Sequence, residues 1–192
     1  MKLTKRQREI ANDIKYLTEV LKLTPELSGV DREFRTVHLE LARRHLVTSG
    51  VLNQYLWMDE MLNDTICREL FPRSAAYPQL WHTKWFKAFN YYVLERIYLV
   101  QKADFARATT RMPKKVYKDL MALNELRNAL AHSFFPENRR VKPSWKGANI
   151  FSRDGFDQFR NDMGRAAEFF LNRIVRANRR RTARRARPRH RG

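Results

Sequence analysis

The sequence predicts an all-α fold, an antiparallel four-helix-type bundle with an extra N-terminal helix and a disordered basic C-terminal tail. Three observations carry that expectation. Glycine is scarce, six in 192 residues, and proline falls mostly between periodic segments. Apolar residues recur near the helical period along most of the chain, and no useful length alternates as a strand would. The closing stretch, 176–192, holds nine arginines, no acid and no large apolar side chain, so it cannot build a core.

Each element follows from its own pattern. The N-terminal helix, within 1–24, places Ile10, Ile14, Leu17 and Leu21 on one face and stops at Thr24-Pro25. After Ser28-Gly29, Asp31 serves as the N-cap of a long helix reaching about Leu70, with Phe34, Val37, Leu41, Val51, Tyr55, Met58, Leu62 and Ile66 along its apolar side. Gly50 is expected to bend or split it. A proline-containing connection, 71–82, leads to a third helix with Trp85, Phe86, Phe89, Val93, Ile97 and Val100. Pro113 opens a fourth, with Val116, Leu120, Leu123 and Leu130, ending at Pro136. A long basic loop follows over 137–151. A fifth helix from about Asp154 carries Phe156, Phe159, Met163, Ala166, Phe170 and Ile174. The domain plan is therefore 1–24, a bundle over 25–175, and the tail 176–192.

Charge narrows the partners. With 39 Lys+Arg against 20 Asp+Glu, the chain has a formal charge of +19, of which nine positive charges lie in the tail. An excess of this size favours polyanions. Arginine without lysine in the tail leans toward RNA, because guanidinium makes bidentate phosphate contacts and stacks on bases. The single cysteine, Cys67, excludes an internal disulfide and a thiolate zinc site. There is no apolar run of signal-peptide or membrane-span type, so the expectation is a cytoplasmic protein with no membrane partner. No Gly-rich phosphate loop, Ser-His-Asp arrangement or paired-carboxylate motif is recognisable, and neither a metal nor a cofactor is expected.

Chemistry concentrates on the fourth helix. On a wheel at about 100° per residue with Val116 at zero, Leu120, Leu123 and Leu130 fall within about 40°, and so does Arg127, at about 20°. An arginine within an apolar stripe is costly unless a carboxylate, carbonyls or an anion answers it. Asn124, Asn128 and His132 form a polar edge beside the stripe. This arrangement, Arg127-Asn128-Ala129-Leu130-Ala131-His132 in the penultimate helix, resembles the HEPN family (higher eukaryotes and prokaryotes nucleotide-binding). The resemblance covers about 30–175 and implies an endoribonuclease that needs no metal.

On that resemblance, Arg127, Asn128 and His132 are the catalytic candidates, His132 moving protons, Arg127 stabilising phosphate charge and Asn128 orienting His132 or contacting a phosphate oxygen. A homodimer would supply two histidines and two arginines to one composite cleft. The products would be a 2′,3′-cyclic phosphate and a 5′-hydroxyl, and DNA would not be cut. Toxin, phage-defence and RNA-processing roles, with an antitoxin or other regulatory protein as a further partner, follow from the same resemblance. Control by adenylylation does not, since Phe134 stands where such toxins have tyrosine.

Other readings stay open. Arg127 can pair with a buried acid such as Glu60 or Glu95, and His132 can cap its helix. A non-catalytic RNA- or DNA-binding helical protein is the main alternative, and an adaptor for an acidic protein a third. The nucleic-acid-binding candidates are Arg139, Arg140, Lys142, Trp145 and Lys146 in the loop, with Arg179, Arg180, Arg181, Arg184 and Arg185 in the tail. His38 and His45 are read as ordinary histidines. Around His82, Trp81 and Trp85 are expected to anchor a helix in the core, with a base-stacking platform as the alternative.

Overall fold

The computed structural model describes residues 4–8, 12, 28–71, 82–131 and 142–185, with 176–185 as backbone alone. Helices dominate, as an all-α chain requires, beside one two-stranded hairpin. The chain divides into two compact units, Met1–Ser49 and Gly50–Gly192. The boundary expected between 24 and 25 lies outside the described residues.

In the first unit, the described start of the N-terminal helix is a capping box. Thr4 Oγ1 accepts from the Gln7 N–H at 3.3 Å, and Gln7 Oε1 accepts from the Thr4 N–H at 2.8 Å. Its expected apolar positions, Ile10 to Leu21, lie outside the described residues. Helix α1, Arg35–Leu70, ends where expected. It begins later than Asp31, because a turn forms first, the Phe34 N–H meeting the Asp31 carbonyl at 2.9 Å. Phe34, Val37 and Leu41, read as part of its inward stripe, are exposed.

The second unit contains the core. Val51, Met58, Leu62 and Ile66 of α1 are buried, at the i, i+3/i+4 spacing of one helix face. Gly50 does not split α1, which is helical on both sides of it. A Cβ there would lie 3.0 Å from the Phe156 ring, so the glycine admits an aromatic edge.

The expected third helix is instead broken. Helix α2, Lys84–Phe89, starts on Thr83, whose hydroxyl accepts from the Phe86 N–H at 3.2 Å, and runs into a π turn, Asn90–Leu94. The run Tyr91-Tyr92-Val93 is poor in helix formers, since aromatic and β-branched side chains lose χ1 freedom there. The Glu95 N–H closes the wider turn on the Asn90 carbonyl at 2.9 Å, while the Asn90 amide donates to Glu95 at 2.6 Å. Helix α3, Leu99–Thr109, then restarts, with Gln101 accepting from the Tyr98 N–H at 2.8 Å. Phe86 and Leu94 join Ile66 and Cys67 in one apolar cluster, with Phe71 edge-on to Phe89 at 5.4 Å.

Helix α4, Lys114–Ala131, packs on α3 across a short connection and also on α5, Arg153–Arg185. Its buried side is Val116, Leu120, Leu123, Leu126 and Leu130, and on α5 it is Phe159, Met163, Ala166 and Phe170. Between α4 and α5 the expected loop holds a hairpin, β1 (Ser144–Trp145) and β2 (Ala148–Asn149), antiparallel with Trp145 opposite Ala148. Its two loop residues, Lys146 at φ 51° and Gly147 at φ 90°, both have the positive φ that a type I′ turn demands.

The tail is helical over part of its length. Helix α5 continues through Arg185, so 176–185 is helical in backbone rather than disordered, while 186–192 lies outside the described residues. Alanine and arginine are strong helix formers, and extending a nucleated helix avoids the cost of starting one.

Candidate functional site

Helix α4 presents the expected stripe, with Arg127 half-buried on it and Asn128 exposed beside it. The Arg127 guanidinium donates from NH1 to the Asn128 side-chain oxygen at 3.0 Å and stands 5.3 Å from the centre of the Tyr55 ring on α1. Its Nε is buried and has no hydrogen-bond partner. Among the described residues no carboxylate pairs with Arg127. Glu95 instead accepts from Asn90. His132 lies outside the described residues, as do Arg139 and Arg140.

Tyr55 was legible only as an apolar-stripe residue, yet it forms the floor beneath Arg127. Burial and then the neighbouring Asp59 carboxylate push its phenol above the ordinary range, opposed by Arg127 and the Leu99 backbone. Asp59, one turn further along α1, is held by Lys102 of α3 through both oxygens, at 2.8 and 2.7 Å. Burying a lysine is costly without such a partner, and Lys102 is only 3% exposed. A phenol one helical turn before an acid, within an apolar stripe, was the available signal for this network.

The loop candidates separate. Lys142 is exposed and remains available to a polyanion. Trp145 is not: it is fully buried, edge-on to Phe159 at 5.1 Å, and its indole N–H donates to Asp162 at 2.9 Å. Lys146 is not a free cation either. Its ammonium bridges Asp119 at 2.5 Å and Asp162 at 2.6 Å, carboxylates whose side chains are 2% and 5% exposed. Arg165 completes the set on Asp162. These two residues are corrected from nucleic-acid contacts to a structural hub. The reason is that buried acids on α4 and α5 needed a cation, and the I′ turn delivers Lys146 between them. On the same wheel Asp119 falls about 60° from Val116, outside the arc of about 40° that holds Arg127, so helical period did not single it out.

Beside this hub lies an open pocket of about 540 Å³, where Lys115, Lys146 and Arg165 face Asp154, Asp157 and Asp162. Three cations face three carboxylates there, so the lining carries no formal net charge. The side chains of Arg179, Arg180, Arg181, Arg184 and Arg185 are outside the description, though their backbone is helical. His38, His45 and His82 are exposed, and among the described residues no cluster of His, Cys, Asp or Glu could hold a metal ion. Trp85 is exposed rather than a core anchor. Among the described residues no helix is long and apolar enough to cross a membrane. Compared with known families, with curated proteins and with solved structures, the chain matches none.

Proposed function

We propose that the protein is a HEPN-type endoribonuclease that works without a metal, with Arg127, Asn128 and His132 as its catalytic groups. The observation that carries this reading is Arg127: a guanidinium set in an apolar stripe, with Nε buried and unpartnered and no carboxylate against it among the described residues. A cation held in that way is answered by an anion, and the substrate that this reading supplies is the scissile phosphate. Tyr55 limits where the guanidinium can go, and Asn128 ties it toward the exposed edge of α4. In the reaction, His132 of one protomer takes the proton from the ribose 2′-OH as that oxygen attacks phosphorus. The second histidine of a homodimer protonates the departing 5′-oxygen, and the two arginines balance charge on the phosphoryl oxygens. The setting is cytoplasmic, in a toxin, phage-defence or RNA-processing system with an antitoxin or comparable regulator.

The test is incubation of purified protein with mixed RNA in EDTA. Cleavage that leaves cyclic-phosphate ends and is lost in His132→Ala is the expected result. Absence of wild-type cleavage on structured and unstructured RNA alike would overturn it. It would then favour the second reading, a non-catalytic RNA- or DNA-binding protein, which rests on the charge of +19.

A further inference from the structure

Helix α2 and the π turn that follows it direct several aromatic side chains outward. Phe86 and Leu94 enter the cluster around Ile66 and Cys67. By contrast, Trp85 is 86% exposed, Tyr92 70% and Tyr98 75%. Trp85 and Tyr92 are seven residues apart across the junction of α2 with the π turn, and about 100° per residue in α2 with somewhat less in the wider turn leaves them toward one side of the segment. Tyr91 is also exposed, edge-on to Tyr92 at 4.9 Å and carrying the Arg96 guanidinium over its ring at 5.7 Å. Lys84 and Lys87 flank Trp85, and among the described residues no carboxylate pairs with either. Exposed aromatic rings in this number along one short stretch of a chain of this charge mark a contact surface.

We propose that this outward face, centred on Trp85 and Tyr92, binds single-stranded RNA by stacking bases on the rings while Lys84, Lys87 and Arg96 meet the backbone phosphates. Flat rings interleaved with unpaired cations are what a single strand recognises, since every base has a π-face and every linkage a charge. The same rings cannot reach the bases of an intact duplex, whose faces are stacked on one another. A membrane-surface helix would turn a continuous apolar face of Leu and Phe outward together with its tryptophan, whereas here Phe86 and Leu94 are turned into the core. The inference deepens the RNA reading above by naming the strand form that is bound, and does not depend on cleavage.

The experiment measures binding of a 2′-O-methyl oligouridylate of about fifteen nucleotides, which lacks the attacking hydroxyl, to the full chain at elevated salt, where diffuse attraction is weak. A double-stranded RNA of equal length is the comparison. Trp85→Ala with Tyr92→Ala should weaken single-strand binding at least about fivefold and change duplex binding by less than about twofold. Trp85→Phe should keep the affinity yet lose part of the tryptophan quenching that accompanies binding, a readout that does not require the double variant. Lys84→Gln with Lys87→Gln should lower the slope of log affinity against log salt by about 1.4. Unchanged single-strand affinity in the double variant overturns the proposal, as does an equal loss on duplex. Loss of binding to phosphatidylserine vesicles without loss on the oligonucleotide also overturns it and assigns the face to a membrane. If cleavage fails while this binding persists, only the ribonuclease reading falls. If this binding fails while cleavage persists, only this surface falls.

Discussion

Replacing Lys146 by methionine separates a structural hub from a nucleic-acid contact. In the native protein its ammonium lies 2.5 Å from Asp119 and 2.6 Å from Asp162. Asp162 keeps the Trp145 indole and Arg165 when the lysine is gone, whereas Asp119 keeps no partner among the described residues. Breaking a buried pair from one side costs about 3–5 kcal/mol. The lysine itself is 34% exposed, so water screens part of the interaction and the lower end, about 3 kcal/mol, applies. Methionine keeps the side-chain length and inherits the same positive φ, so backbone strain does not enter the difference. For a chain of this size the melting temperature should fall by about 6–12 °C. Far-UV circular dichroism would follow the melt, with RNA affinity measured on the folded variant. Adding Asp119→Leu should recover most of the loss, because it removes the stranded carboxylate. A shift below about 1 kcal/mol, or a large loss of RNA affinity at unchanged stability, would refute the assignment.

Further outcomes are expected at Arg127, Cys67 and the glycines of α5. Arg127→Met should abolish RNA cleavage while leaving stability within about 1 kcal/mol of wild type, because the group it removes is half-buried and has no carboxylate partner among the described residues; a loss near 3 kcal/mol would instead reveal such a partner. Burial, with Asp64 next, pushes the Cys67 thiol from 9.0 up to about 12, so Ellman's reagent should label it at pH 8 only on unfolding. Because that shift is upward, the stability it contributes is complete below the unfolded value and is lost as pH rises toward 12, which alkaline denaturation of Cys67→Ala against wild type would check. Gly155→Ala should destabilise by at least about 2 kcal/mol, since its Cβ would overlap the Asn149 carbonyl of β2, whereas Gly164→Ala, with open space around it, should stabilise by up to about 1 kcal/mol; equal effects in urea titrations would contradict the packing of α5 on the hairpin.

Much of the fold is legible because helices announce themselves through period. The stripe Val116, Leu120, Leu123 and Leu130 is buried as the wheel requires, and α1 ends at Leu70 where the apolar pattern stops. The break between α2 and α3 was hidden, because no Gly or Pro marks it and the capping residue is Tyr98 rather than Ser or Thr. The hairpin was hidden too, since a two-residue I′ turn is usually announced by Asn-Gly or Asp-Gly and here is Lys146-Gly147. At the candidate site, Arg127 could be found as a cation out of place on its own helix. Tyr55, Asp59 and Lys102 could not be joined to it, because they come from α1 and α3 and meet only through packing.

By itself the sequence determined the helical class, the large positive charge, the buried side of α4 and the anomaly of Arg127, all of which depend on local order and composition. The tertiary structure decided which charges are already answered. Lys102 is spent on Asp59 and Lys146 on the buried Asp119 and Asp162, Trp145 is sealed against Asp162, and Trp85 with its neighbouring tyrosines is left outside. The division has a physical cause: a residue's period fixes which side of its element it occupies, but the cost of a buried charge is set by groups distant in sequence.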